Sequence, residues 1–347
     1  MSWDWSPLQL RALERFLGDL DLCQGPVTTR RLGDGHSNLT FLVDDGHRQV
    51  VVRRPPPPPT PPGAHDVLRE ATLMTALRGT AVPVPDVLGV AQPGEVLDVP
   101  LFVMSLVAGP VVTTHTPPPL HNANDRRSIA YSLVDTLAAL HAVDWRARGL
   151  DRFGRPEGFN QRHMQRMARL VAHQDGTPPE GFEGIYAWLA ANVPPESGAS
   201  IVHNDFRLGN VILAPDSPGR VAAVLDWELA TIGDPLVDVG YLLASYPVEG
   251  DMLTPTGAMS TAVLEQGYPT REELAQRYAS ATGLDLGNLR WYAAMVLWKL
   301  AILYEYGRRR ATRPHGDPYY ADPAHVRSFL DAAHEAAGLN RQASRTD

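Results

Sequence analysis

The stretch His203-Asn204-Asp205-Phe206-Arg207-Leu208-Gly209-Asn210, closed further on by Leu225-Asp226-Trp227-Glu228, contains the parts needed to move a phosphoryl group from a nucleotide. Those parts are one carboxylate to take a hydroxyl proton, and an amide with a second carboxylate to hold Mg²⁺. Between the two ends, residues 211–213 and 221–225 are short aliphatic runs separated by Ala214-Pro215-Asp216-Ser217-Pro218-Gly219-Arg220, a turn signal. The pattern predicts a β-hairpin. In an antiparallel pair the ends far from the turn lie opposite each other, so Asn210 is expected beside Asp226. Two hard oxygen donors suit Mg²⁺, with phosphate and water at its remaining positions. Asp205, five residues before Asn210, is then the candidate catalytic base. Taken singly, each of the three is an ordinary loop residue that caps a helix or closes a turn. Their order (base, amide, strand, turn, strand, carboxylate) is what points to chemistry.

The pattern is similar to the kinase catalytic loop followed by its metal-binding Asp-Phe-Gly. Asn204 stands where protein kinases carry Arg, and Asp226-Trp227-Glu228 has no Gly. The chain therefore resembles the aminoglycoside phosphotransferase-like branch of the kinase-like superfamily. More narrowly it looks like the kinase-like domain associated with acyl-CoA dehydrogenases, which carries Leu-Asp-Trp-Glu and Gly-Asp-Pro at this spacing. The resemblance covers nearly the whole chain and implies an α+β, bilobal, protein-kinase-like fold. Residues 1–105 would form a small β-rich N-lobe over the nucleotide, and 106–347 a larger, mainly helical C-lobe. It also implies Asp205 as base, Asn210 and Asp226 as Mg²⁺ ligands, and 35–38 with Arg53 over the phosphates of ATP. The chain departs from the family at Asn204, usually Gly there, and at 162–167, where a Trp is common.

Upstream, Ser6-Pro7-Leu8-Gln9 has the form of a capping box, and Leu10, Leu13, Leu17 and Leu20 recur at helical spacing behind it. Arg31-Leu32-Gly33-Asp34-Gly35-His36-Ser37-Asn38-Leu39-Thr40 follows. A glycine-bearing turn between strands lets backbone N–H groups approach phosphates, which makes Gly35, His36, Ser37 and Asn38 nucleotide candidates. Such a turn is otherwise just a tight turn. Residues 39–43 and 49–53 read as strands joined through Asp45-Gly46. Arg53 ends the second strand, where a kinase places its phosphate-pairing Lys. Alternation puts Arg53 and Arg54 on opposite faces, so only one can serve; the reading takes Arg53. Glu70, on a helix expected over 66–78, is either its partner or an ordinary surface acid. Residues 55–62 are a polyproline run, read as a stiff spacer.

Residues 83–85 and 87–91 are expected to pair with Val96 and Leu97, followed by a buried strand over 101–104. The lobes should join just beyond. Backbone groups of Ser105 to Val107, with Met104 packing nearby, are the candidates for reading adenine. A long helix is expected after Asn124, with His141 a hydrogen-bonded core residue. Asp234 reads as a helix cap and Asp238 as either a favourable charge in the first turn or a buttress for the catalytic loop.

The net charge of -8 speaks against nucleic acid or an anionic membrane as main partner. The basic run Arg308-Arg309-Arg310 reads as a solvated helix end. Cys23, the single cysteine, allows no internal disulfide and fits a reducing cytoplasm. The start lacks a basic region followed by an apolar core, so no signal peptide is expected. The most apolar helix, 291–306, is interrupted by Lys299 and too short for a bilayer. The expected activity is ATP- and Mg²⁺-dependent phosphorylation of a hydroxyl on a small molecule. Met164, Met167, Trp291, Trp298, Tyr304 and Arg308 suggest an apolar or anionic acceptor, such as a hydroxylated acyl thioester, with a link to acyl-CoA metabolism. The rivals are a catalytically silent nucleotide-binding module that regulates a partner, and an antibiotic kinase. A protein kinase is disfavoured, since no Ala-Pro-Glu follows.

Overall fold

A computed structural model describes residues 5–33, 38–56, 65–118, 120, 122–173, 179–311 and 316–339. Gly35, His36 and Ser37, and most of the polyproline run, lie outside them. The chain divides into two compact units, Met1–Gly109 with Ala222–Glu228, and Pro110–Val221 with Leu229–Asp347.

The first unit is built on a five-stranded antiparallel sheet in the order β1-β2-β3-β5-β4, from β1 (Thr28–Arg31), β2 (Leu39–Asp44), β3 (Gln49–Arg54), β4 (Val87–Ala91) and β5 (Leu101–Ser105). Helix α1 (Pro7–Asp19) opens with the expected capping box and buries Leu13 and Leu17. These pack with Phe41, Val43, Val50, Val52, Leu101 and Val103, one alternating face of the sheet. Helix α2 (Val67–Leu77), capped by Asp66, buries Glu70 together with Ala71, Leu73, Met74 and Leu77. The β2–β3 hairpin turns at Gly46, whose φ of +85° favours glycine. One strand pairing differs from expectation. β4 pairs with β5, and Val96 and Leu97 instead lie in a turn closed by the Gly94 N–H on the Leu97 carbonyl. A β-bulge between Val87 and Gly89 obscured the period-two signal there.

Residues 222–228 return to this unit, although the sequence reading assigned everything after 105 to the second. The Val224 N–H donates to the Pro83 carbonyl, and the Trp227 side chain is 1% exposed. Aliphatic burial over a few residues is enough to fix the segment there.

The second unit is mainly helical: α3 (Ala123–His141), α4 (Phe159–Val171), α5 (Glu183–Ala191), α6 (Leu236–Ala244), α7 (Pro255–Ala258), α8 (Arg271–Thr282), α9 (Leu289–Ala311) and α10 (Pro323–Ala336). α3 starts at the cap Asn122, slightly before the expected position. Strands β6 (Ser200–Val202) and β9 (Thr231–Gly233) pair antiparallel, and the hairpin of β7 (Val211–Leu213) and β8 (Val221–Val224) forms as the sequence predicts, residues 222–224 counting with the first unit. Among the described residues no helix is long and apolar enough to cross a membrane.

α6 and α9 approach closely because position 240 has no side chain. A Cβ on Gly240 would fall 2.9 Å from the Tyr292 carbonyl carbon. Gly240→Ala is therefore expected to cost about 1–3 kcal/mol, the range for overpacking a filled interior. Denaturant unfolding reads this as a lower midpoint at unchanged m.

Candidate active site

In the first unit, strand alternation sends Arg53 and Arg54 to opposite faces. Arg54 lies over the rings of Trp5 and Phe41 at 5.4 and 5.3 Å. Arg53 is at the acidic site. Its Nε donates to Glu70 Oε2 at 2.8 Å, Nη1 to Thr40 Oγ1 at 3.1 Å, and Nη2 to Asp226 Oδ1 at 2.6 Å. Glu228 Oε2 lies 4.0 Å from Nη2 and also accepts from Asn38 Nδ2. Burial works against the guanidinium charge, but Glu70, then Asp226 and Glu228, outweigh it and raise the Arg53 pKa. Glu70 is fully buried. Desolvation pushes its carboxyl up, opposed by Arg53, and its Oε1 accepts the Trp227 N–H. Glu70 is thus a buried strut between α2, β3 and the Asp226 segment rather than a surface acid.

Asp226 has φ +65°, a left-handed conformation uncommon for a residue with a side chain. Such conformations cost free energy and gather at functional sites, held by their surroundings. Arg53 and the Trp227–Glu70 bond supply that hold.

In the second unit, the loop carrying Asp205 leaves β6, whose partner β9 leads into α6. Asp238, in the first turn of α6 and fully buried, accepts the His203 N–H at 2.6 Å on Oδ2 and the Asn204 N–H at 2.7 Å on Oδ1. Its Oδ2 also lies 3.3 Å from His141 Nε2, and His141 Nδ1 meets the Tyr278 hydroxyl at 2.6 Å. Asp238 buttresses the loop, and His141 is a core residue. Asp234 accepts from Asn160, Tyr292, the Ser197 N–H and the Leu236 N–H. It organises several elements and does more than cap one.

Asn210 Nδ2 donates to Asp205 Oδ2 at 2.7 Å and to the Asp205 carbonyl at 2.8 Å. With its nitrogen so engaged, Asn210 presents its amide oxygen as a metal donor. Asp205 Oδ1 accepts no hydrogen bond, with Arg207 Nε 3.4 Å away. That oxygen is buried, with the Tyr241 hydroxyl facing the same carboxylate. Behind the loop, Lys299 Nζ donates to the Asn204 carbonyl and side-chain oxygen at 3.1 and 3.3 Å.

The Asn210 amide in the second unit and the Asp226 carboxylate in the first are each hard oxygen donors of the kind Mg²⁺ takes. The donor types fit.

Two expectations change. Ser105 has both groups committed to Asp86, its N–H donating to the Asp86 carbonyl and its Oγ accepting the Asp86 N–H. It cannot also read a base through that donor. Val107 is half-buried and outside any strand, and Met104 is buried in β5. Met164, Met167, Trp291 and Trp298 are 1–6% exposed and pack in the interior, so they do not offer a surface to an acceptor. Tyr304 is buried as well, and Arg308 forms an ion pair with Glu305. The helical period that marked these residues as a face marked a core face. Glu228, Thr40 and Lys299 were not singled out from sequence. A lone lysine in the most apolar helix was the available signal for the last.

The family model "Phosphotransferase enzyme family" matches residues 28–292. The chain belongs to that family. Mouse acyl-CoA dehydrogenase family member 10 is 30% identical to this chain over 297 residues, 85% of the chain but 28% of the mouse protein. The chain spans about a third of the length of the curated relatives it matches. A solved structure from Ralstonia eutropha, of a protein proposed to be an aminoglycoside phosphotransferase, superposes with TM-score 0.78 at 27% identity over 96% of this chain and 99% of that one. The aminoglycoside phosphotransferase APH(4)-Ia, solved as a ternary complex with ADP and hygromycin B, shares the fold at TM-score 0.55 and 17% identity, covering 94% of this chain and 98% of that one. The expected kinase-like α+β fold, with a β-sheet N-lobe and a larger helical part, is the fold of this chain.

Proposed function

We propose that this phosphotransferase moves the γ-phosphoryl group of ATP to a hydroxyl of a small, anionic or apolar molecule. The observation that carries the reading is the Asp205 carboxylate, held at Oδ2 by Asn210 and at Oδ1 by the Arg207 ion pair, on a loop that Asp238 fixes through the His203 and Asn204 N–H groups. In this reading the Asp205 carboxylate orients the acceptor hydroxyl and takes its proton as the new O–P bond forms. Asn210 and Asp226 are the Mg²⁺ ligands, and a bound Mg²⁺ supplies charge neutralisation at the phosphates. Arg53, with a planar fork in place of the kinase lysine, holds phosphate oxygens on the support of Glu70. Asn38, and 35–37 by sequence, cover the phosphates; Met104 and the backbone at 106–107 serve the base. Nucleotide use is supported by the ADP complex of APH(4)-Ia.

The surroundings of Asp205 disfavour a polycationic acceptor. Arg207 lies beside it, and Lys299 behind it carries a further positive charge. An aminoglycoside would meet like charge there. An anionic acceptor is favoured, and the relatives named acyl-CoA dehydrogenases support an acyl thioester or a related hydroxy acid. The test is a screen of hydroxylated acids, their thioesters and aminoglycosides for Mg²⁺-dependent ADP release. Stimulation by the aminoglycosides alone would overturn this acceptor class.

A second reading has one observation in its favour, the Arg53 contact to Asp226, which places a resident cation on the proposed metal ligand. In that case the chain binds nucleotide without turnover. The two readings part at Asp226→Ala. With Asp226 as a ligand, the variant is expected to lose the Mg²⁺-dependent part of ATP affinity, about 100-fold or more, beyond what weakening a supporting contact costs. Calorimetric titration of ATP with Mg²⁺ and with EDTA measures it, and a variant still strengthened by Mg²⁺ contradicts the role.

A further inference from the structure

Of the 31 lysine and arginine residues in the chain, 30 are arginine and Lys299 is the only lysine. It lies in the middle of α9 and is 2% exposed. A guanidinium stays charged at any pH a protein tolerates, whereas a buried ammonium gives up its proton readily. The one lysine reaches the Asp205 loop.

What Lys299 grips is the peptide group between residues 204 and 205. Its Nζ donates to the Asn204 carbonyl oxygen at 3.1 Å. At the other edge of the same planar unit, the Asp205 N–H donates to His203 Nδ1 at 3.3 Å. A planar peptide held at both edges has lost its rotation, and the direction in which the next side chain leaves is set with it. The hold is needed because Asn204 has φ +68°, a conformation an asparagine tolerates and does not prefer. The second bond, to Asn204 Oδ1, and the bond from Asn204 Nδ2 to the Leu229 carbonyl keep this residue in that turn.

The geometry points to Lys299 as a positioning residue for phosphoryl transfer, fixing the 204–205 peptide so that loss of its ammonium slows turnover and leaves nucleotide affinity in place. This rests on the reading of Asp205 as the base.

A pH signature accompanies it. From α6, Asp238 and the Tyr241 ring, 5.4 Å away, face the ammonium; from the loop, Asp205; from α4, His163 and Arg166. Burial lowers the Lys299 pKa from 10.5 to about 8, with Asp238 and Asp205 opposing and Arg166 adding to the fall. His163 is lowered well below its usual range by burial, then by Lys299 and Arg166, and Tyr241 is raised by burial and by Asp205. Neither changes charge near pH 8. The folded pKa of Lys299 lies below the unfolded one, so the folded chain sheds this proton first. Its contribution to stability therefore rises between about pH 8 and 10.5. Turnover is expected to fall in a window where this group favours the native state, which separates lost positioning from unfolding.

The full chain with Mg²⁺-ATP, water serving as acceptor, gives the assay through ADP release. Lys299→Met is expected to lower kcat about 10- to 100-fold, the scale of a small misplacement of a reacting group. ATP affinity should stay within about threefold. The alkaline limb near pH 8 should disappear. Because the chain has one lysine, protein labelled with ¹³C at lysine Cε gives one side-chain signal, and no Lys299 variant is needed to titrate it. Its midpoint is expected near 8 and lower in Asp205→Asn, which removes an opposing anion. Wild-type kcat in Lys299→Met, ATP affinity lost in proportion to kcat, or a midpoint unmoved by Asp205→Asn would each overturn the positioning role. Asp205→Asn turning over at the wild-type rate, or a wild-type chain without Mg²⁺-dependent ADP release, would overturn the base assignment beneath it. An inactive Asp205→Asn beside a fully active Lys299→Met removes Lys299 alone.

Discussion

Replacing Asp205 by asparagine is expected to lower kcat about 100- to 10,000-fold, the range a positioned general base contributes, while ATP binding stays close to the wild-type value. The asparagine keeps an oxygen for the Asn210 amide to donate to at the place of Oδ2. What it loses is the acceptor at Oδ1, where an NH₂ group would instead point toward Arg207. The substitution is thus nearly isosteric and removes the proton-accepting capacity and one negative charge. Initial rates with saturating Mg²⁺-ATP, set beside calorimetric ATP affinity, check the split. Equal loss of kcat and of affinity would mean that Asp205 holds nucleotide and does not serve the acceptor.

Local features of the fold were legible where a physical signal is confined to neighbouring residues. The capping box at Ser6–Gln9, the turn at Asp45-Gly46 and the helix capped by Asp66 all rest on contacts within a few residues, and all appear in the structure. Strands β6 and β9 escaped notice because three residues do not make a period, and only their mutual pairing across the chain defines them. The same limit hid the support of the candidate site. The contacts of Lys299 with Asn204 span 95 residues, and that of Arg53 with Asp226 spans 173. Composition identified the interrupting lysine but not its acceptor. The apolar helical stripe of 291–306 was misread as facing an acceptor, since periodicity tells which residues share a face and not what covers it.

The sequence allows Asp238 to be a helix-end charge or a loop buttress, and its place in the structure predicts a large effect on stability. Asp238→Ala is expected to destabilise the chain by about 3–5 kcal/mol, the scale for removing one member of a buried charged assembly. Two backbone N–H groups, of His203 and Asn204, lose a charged acceptor, and bonds of that kind contribute about 1.5–3 kcal/mol each. Lys299 at the same time loses the carboxylate that most opposes its desolvation. Asp238 holds both N–H groups at 203–204, next to the Asp205 carboxylate, so kcat should fall along with stability. Urea unfolding followed by tryptophan fluorescence measures the first, and ADP release at a temperature where the variant remains folded measures the second. Asp238→Asn supplies the contrast. One amide oxygen replaces two carboxylate oxygens, and its NH₂ would face a backbone N–H, so little recovery over alanine is expected. Substantial recovery by asparagine would mean that shape at this position matters more than the charge shared with Lys299.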